Sequence, residues 1–489
     1  MPARPPIVTI LGHVDHGKTT LLDYIRKSRV ADKEFGGITQ KIGAYEVETG
    51  ITGYHTGKIT FIDTPGHEAY SKLRARGANV ADIALLIIDA KDSLKPQTLE
   101  SISHIKAANI PFIVVLNKTD LPEANPERVK IDLLKAEVLV EGKGGNVAVV
   151  NISAKTGKGV PELLESILLL TSELNLKYDP SALTQAYIIE TKKDKRGIVA
   201  SLIIKNGTLS VGDTVYSETD TEKIKIRALV SDLGLPLEKV LPSTPFELLG
   251  FSKLPEVGTL ISSQPTEKGK IREDLPQNTS ILKQPVGLNE LFGKKDEGKK
   301  LALVIKADSQ GSLEAIVGAL IGKDNVSIVH TAVGNINQSD IFLAKTTGAI
   351  VIGFNVIPDT ESAQLAKQEK VIIKPYNLIY ELLEELTEVA DLLREKEERN
   401  KNLKGEAKIL AKFNIAGETV YGVKVTKGKA NLGDPIEIYR NNELFGNAKL
   451  ASLKVRAKPT QEVKKDQEAG MLFTPQLDIK VGDVVKFVL

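Results

Sequence analysis

The sequence predicts a multidomain chain of α/β and all-β modules, on three observations. Residues 1–178 and 299–375 alternate short Val- and Ile-rich runs with helical stretches, the pattern of parallel sheets covered by helices on both faces. Residues 179–270 and 404–489 set β-branched runs between dense turn signals, as β-barrels do. Between the second α/β region and the last module, Tyr376–Asn402 contains no Gly or Pro and steps Ile379, Leu383, Leu386, Ala390 and Leu393 by four and three, which predicts one long amphipathic helix.

Each element follows from its local pattern. Ile7–Leu11, Ile59–Ile62, Ala84–Ile88, Pro111–Leu116 and Val147–Ile152 read as buried strands, with helices such as Thr19–Arg26, Gln97–Ala107 and Val160–Ser172 between them. Residues 271–298 are polar and Lys-rich and read as a linker. The second α/β region, an α/β/α sandwich, alternates Leu301–Lys306, Ser312–Leu320, Val326–Thr331, Ser339–Thr346 and Ala349–Phe354. Residues 376–403 form a helical linker, either packed along a neighbouring domain or acting as a rigid spacer. The two all-β modules share a signature. Ile204-Lys-Asn-Gly207, four residues, then Gly212-Asp213 resembles Val425-Thr-Lys-Gly428, four residues, then Gly433-Asp434. The glycines suit corners that need positive φ.

Composition excludes several chemistries. The 489 residues include no Cys, so disulfides, Cys-ligated zinc, iron–sulfur clusters and thiol catalysis are ruled out together. Lys+Arg total 65 against 63 Asp+Glu, a formal net charge of +2, which argues against a uniformly basic nucleic-acid binder. The charge is unevenly placed: residues 404–489 hold 15 Lys+Arg against 10 Asp+Glu, while 376–402 hold four against eight. The basic excess suits an RNA-facing module, and a solvated charged face is the plainer reading. No apolar run approaches a membrane span and no leader pattern opens the chain, so the expected location is the cytoplasm, with no membrane partner.

Five motifs carry chemistry. Gly12-His13-Val14-Asp15-His16-Gly17-Lys18-Thr19 fits G-x-x-x-x-G-K-[ST] between a strand and a helix. Such a loop turns backbone N–H groups on phosphates, aided by the helix dipole. Lys18 reaches the β- and γ-phosphates, and Thr19 offers a hydroxyl to Mg²⁺. Thr20 continues the loop into the helix. Asp63-Thr64-Pro65-Gly66 follows a strand; Asp63 suits the Mg²⁺ site, and Gly66 can present its N–H to a γ-phosphate. Gly36-Gly37-Ile38-Thr39 reads as a switch segment whose Thr39 closes on Mg²⁺. His67, next to Gly66, is the candidate for ordering the attacking water. Asn117-Lys118-Thr119-Asp120 and Ser153-Ala154-Lys155 each follow a strand, and the carboxylate of Asp120 can accept two N–H groups from a guanine edge. The first domain therefore reads as a P-loop GTPase.

These motifs, in this order, resemble the translational GTPases, and within them the bacterial translation initiation factor two family. The likeness rests on Pro6–Thr19, Gly36–Gln40 with Ile42–Tyr45, Asp63–Ala69, Arg74–Ala78, Pro96–Thr98, Lys306–Ser312 and Gly353–Val356. The resemblance implies a ribosome-stimulated GTPase that positions formylated initiator tRNA on the small subunit and promotes joining of the large one. It implies that the factor acts as a monomer, that Val14 and Ile38 form a hydrophobic gate beside the catalytic His67, and that Asp15 and Gly37 help hold a monovalent cation. It implies that the last barrel holds the tRNA end. Three departures stand out. The long N-terminal extensions of many bacterial relatives have no counterpart here. Lys41 replaces a usual His. Val423 and Ala469 take the places of two cysteines, and the basic run near the second reads Lys454-Val-Arg456-Ala-Lys458. Two other readings stay open at this point: a GTP-dependent RNA-binding or ribosome-assembly switch with negligible turnover, and an elongation-type tRNA carrier.

Overall fold

The computed structural model describes residues 1–27, 38–218, 223–265, 300–323, 325–415, 418–441, 443–456 and 458–488. Gly36 and Gly37 of the expected switch, and the linker 271–298, lie outside the described residues.

The first domain is built on a sheet of six strands in the order β2-β3-β1-β4-β5-β6. These are β1 Ile7–Gly12, β2 Gly43–Glu48, β3 Lys58–Asp63, β4 Ile83–Asp89, β5 Phe112–Asn117 and β6 Val149–Asn151. Five run parallel, and β2 runs antiparallel along β3. The sheet is therefore mixed, not wholly parallel as its apolar runs suggest. As an edge strand, β2 has one face half-exposed and lacks the continuous apolar signature of its neighbours.

Strand periodicity splits each buried run between two cores. Val8, Ile10, Leu85 and Ile87 face α1 Lys18–Arg26 and α5 Val160–Leu174, packing on Leu21, Leu163 and Ile167. Leu11, Leu86 and Ile88 face the other way, toward α2 Ser71–Val80, α3 Pro96–Ala108 and α4 Pro126–Lys135, packing on Ala78, Ile102 and Leu133. With both faces covered, function is left to the loops at the carboxyl ends of the strands.

The next module is an antiparallel sheet of eight strands around one core that includes Ile188, Leu202, Leu229 and Phe246. The second α/β region orders its four strands Val326–Val333, Leu301–Ala307, Ile350–Phe354, Ile373–Tyr376, with α6 Gln310–Leu320, α7 Gln338–Thr347 and α8 Thr360–Glu369. The long helix, α9, is Ile379–Lys401. It starts three residues later than its Gly- and Pro-free run suggests, because Tyr376 ends a parallel strand. Its buried stripe is Ile379, Leu382, Leu386 and Ala390, with Leu382 taking the place expected of Leu383.

The last module closes on itself. Strand Leu403–Ile415 pairs with both Val484–Val488 and Glu418–Asn431, which completes a barrel around Val425, Ile438, Met471 and Phe487. The repeated signature has one geometry in both barrels. Gly207 and Gly428 have φ of 72° and 63°, and Gly212 and Gly433 have 92° and 91°. Asp213 and Asp434 each accept a hydrogen bond at 2.8 Å from the backbone N–H three residues earlier, on Ser210 and Asn431. The carboxylate closes the corner that the left-handed glycine opens.

Candidate nucleotide site

Four motifs of the first domain lie at one edge of its sheet: Gly12–Thr19 after β1, Asp63–His67 after β3, Asn117–Asp120 after β5 and Ser153–Lys155 after β6. The phosphate loop needs its glycines. Gly17 caps α1 with φ of 87°, and a Cβ there would strike the amide of Asn117. A Cβ on Gly12 would meet the carbonyl of Ile87.

Lys18 is buried and donates to the carbonyls of Gly12 at 3.0 Å and His13 at 2.6 Å. Burial lowers its pKa to about 8, against the opposing pull of Asp63. Thr19 Oγ1 and Thr39 Oγ1 stand 2.7 Å apart, and Thr39 Oγ1 is 3.4 Å from Asp63 Oδ2. Two hydroxyls and a carboxylate converging in this way are a hard-oxygen set that fits Mg²⁺. Among the described residues no cluster of His, Asp and Glu offers a competing metal site.

Val14, Asp15, Thr20, Ile38 and Thr39 share a cavity of about 340 Å³ with Lys18, Gly66 and His67. Gly66 lies against the phosphate loop so closely that a Cβ there would reach the Lys18 ammonium and come within 2.9 Å of the Val14 nitrogen. Thr64 points elsewhere: its hydroxyl donates to the carbonyl of Ile10 at 2.6 Å, tying β3 to β1. Pro65 serves through its carbonyl, which accepts from Arg74 Nη1 at 2.9 Å.

His67 is half-buried. Its Nδ1 accepts from Ala69 N–H at 2.9 Å, capping the turn Glu68–Tyr70, and its ring lies 4.1 Å from that of Tyr380. Burial, with the charge of Arg74, lowers its pKa to about 4, so it is neutral near pH 7. His16 turns into the protein toward the Ile87 carbonyl at 3.3 Å, and burial lowers its pKa to about 4 as well.

The base-reading loops are joined by Asn117, which donates to the His16 carbonyl at 2.8 Å and accepts from Ala154 N–H at 2.9 Å. One side chain thus ties the phosphate loop to the loop after β6. Lys118 lines the cavity and pairs with Asp89 at 2.7 Å. Asp120 is exposed, and a hydrogen bond from the buried Ser153 holds its carboxyl below the usual range. Lys155, beside it, is exposed.

The supporting residues escaped the motif reading. Arg74, fully buried on α2, donates to the carbonyls of Pro65 and His67 and binds both oxygens of Glu100 on α3, at 2.9 and 2.7 Å. His104 completes this network at 3.1 Å from Glu100. Gln97 accepts from the Val14 N–H at 3.1 Å. Arg74 and Gln97 are signalled in the sequence by membership in the runs Arg74–Ala78 and Pro96–Thr98, with no chemistry legible in either alone, and Glu100 and His104 lie outside both runs.

The last barrel separates the five residues expected to meet RNA. Lys454, Arg456 and Lys458 are exposed around one hairpin. Val423 and Ala469 face each other across two strands with exposures of 1% and 6%, both within the core. Strand alternation carries these two side chains inward, so they do not form a surface for tRNA as the carry-over implies.

Residues 4–173 match the family model of the elongation factor Tu GTP binding domain, 183–264 that of elongation factor G domain 2, and 278–387 that of translation-initiation factor 2. Translation initiation factor IF-2 of Thermoanaerobacter sp. (strain X514) is 42% identical over 99% of this chain and 71% of its own length. The factor of the same name from Caldanaerobacter subterraneus subsp. tengcongensis is 43% identical, over 99% of this chain and 69% of its own. Among solved structures, GDP-bound aIF5B from Aeropyrum pernix is 26% identical with a TM-score of 0.46, covering 100% of this chain and 92% of its own.

Proposed function

The chain belongs to the translation initiation factor IF-2 family of translational GTPases, and from that premise we propose how its residues divide the work. The N–H groups of Gly12–Thr19 and the Lys18 ammonium hold the β- and γ-phosphates of GTP. Asn117 keeps the loops in register while Asp120 accepts from the guanine edge, with Ser153, Ala154 and Lys155 closing over the base. Thr19, Thr39 and Asp63 hold Mg²⁺, which supplies positive charge against the phosphates. Gly66 presents its N–H to the γ-phosphate. His67, neutral and flanked by Val14 and Ile38, orders the water whose oxygen bonds to the γ-phosphorus as the bridging bond breaks, leaving GDP and phosphate. Asp15 and Gly37 would hold a monovalent cation.

The factor works on the ribosome, engaging both subunits as a monomer in the cytoplasm. Its last barrel meets the initiator tRNA through Lys454, Arg456 and Lys458, supported by their exposure and by that module's basic excess. The domains divide at 1–178, 179–270, 299–375 and 404–489, with linkers at 271–298 and 376–403.

The observation that carries this reading is one cavity shared by Lys18, Thr19, Thr39, Gly66 and His67. It is tested by GTP turnover with and without ribosomes. His67→Ala lowers ribosome-stimulated kcat by about 10²- to 10⁴-fold with GTP affinity intact; an undiminished rate overturns the catalytic role.

A further inference from the structure

The Tyr380 ring leaves His67 in a poor position to act. The two rings stand 4.1 Å apart at 50°, while Tyr70 meets the imidazole edge-on at 6.1 Å. Nδ1 is occupied by the Ala69 N–H, so in the neutral ring the proton sits on Nε2 and no bare nitrogen remains for a water proton. Among the described residues, the charged group acting on the ring is Arg74, which also holds the His67 carbonyl at 2.6 Å.

The position of Tyr380 is itself fixed from the switch side. Gln40, which directly follows Thr39, is buried. It donates to the Asn377 carbonyl at 2.9 Å and accepts from the Ile379 N–H at 3.1 Å. One amide thus satisfies a first-turn donor of α9 that the helix itself leaves open. Lys41 adds an ion pair to Asp308, at the position where this chain departs from the usual His.

We propose that Tyr380 is a positioning residue that parks His67 against the first turn of α9, restraining GTP hydrolysis until the Gln40 clamp lets that turn shift. The proposal rests on the catalytic reading of His67. Tyr380 is 44% exposed, so removing its ring uncovers His67 without opening a core. In the full chain loaded with GDP, Tyr380→Ala moves the His67 imidazole titration from about 4 toward the ordinary value of 6.5, while Tyr380→Phe keeps it low. In the absence of ribosomes, Tyr380→Ala raises kcat for GTP about threefold to tenfold with KM unchanged, the factor an aromatic pair supplies. The gain vanishes in the His67→Ala background. A native titration or a native ribosome-free rate in Tyr380→Ala overturns the proposal, as does a gain that survives His67→Ala. Failure of the underlying reading looks different: His67→Ala alone then keeps its ribosome-stimulated turnover.

Discussion

His16 illustrates how one side chain in a phosphate-binding motif can serve the fold. It is 1% exposed, its Nδ1 faces the Ile87 carbonyl, and its ring meets His13 edge-on at 5.1 Å. Burial lowers its pKa from 6.5 to about 4, so the folded protein resists the proton that the unfolded chain takes up readily. Stability from this group is therefore complete above pH 6.5 and falls as pH drops toward 4. The span amounts to roughly 3 kcal/mol. His16→Gln flattens the pH dependence of urea unfolding across that window; an unchanged slope removes the assignment. Within G-x-x-x-x-G-K-[ST] the sequence places His16 but not its direction, which follows from the Asp15 φ of 62° one residue earlier. Val423 and Ala469 teach the same lesson on a strand: their pairing with the core is a matter of which face is inward, and a carry-over by position does not contain it.

At the scale of elements, α2 and α3 hold the turn that carries His67. The Arg74 guanidinium has zero side-chain exposure and reaches Glu100 at 2.7 Å, while its other arm grips the carbonyls of Pro65 and His67. Burial pushes the Glu100 carboxyl up, but hydrogen bonds from His104, Ser71 and Arg74 prevail and hold it at about 2. Glu100→Ala leaves a buried guanidinium without its anion and costs about 3–5 kcal/mol in denaturant unfolding. Glu100→Gln, which keeps an acceptor, costs less; equal costs in the two variants overturn the account. Of the two helices, α3 is legible in the sequence as Gln97–Ala107. The ion pair between them is not, because Arg74 and Glu100 are 26 residues apart and meet only once the helices pack. Edge strand β2 is missed for the complementary reason: a half-exposed strand has no continuous apolar run to announce it.

At the scale of the whole molecule, the contacts divide the chain into two units, one of Met1–Gly287 with Ala302–Leu386 and the other built on Thr387–Leu489. The second has its own core, from Ala407 to Phe487. Calorimetry should show two transitions. GDP with Mg²⁺ at one hundred times its Kd raises only the first, by about 2.7 kcal/mol; a single transition, or a shift of both, contradicts the division. The order of modules, the nucleotide motifs and the shared barrel corners were determined by the sequence itself, because each is made by residues within a few positions of one another, where loop geometry and strand period act locally. Tertiary structure decided what acts across distance. Gln40 meets Ile379 across 339 positions, Arg74 reaches Glu100, and Tyr380 covers His67. No local pattern encodes such meetings, because a side chain's partner is set by where packing brings the chain back, and that is a property of the folded whole.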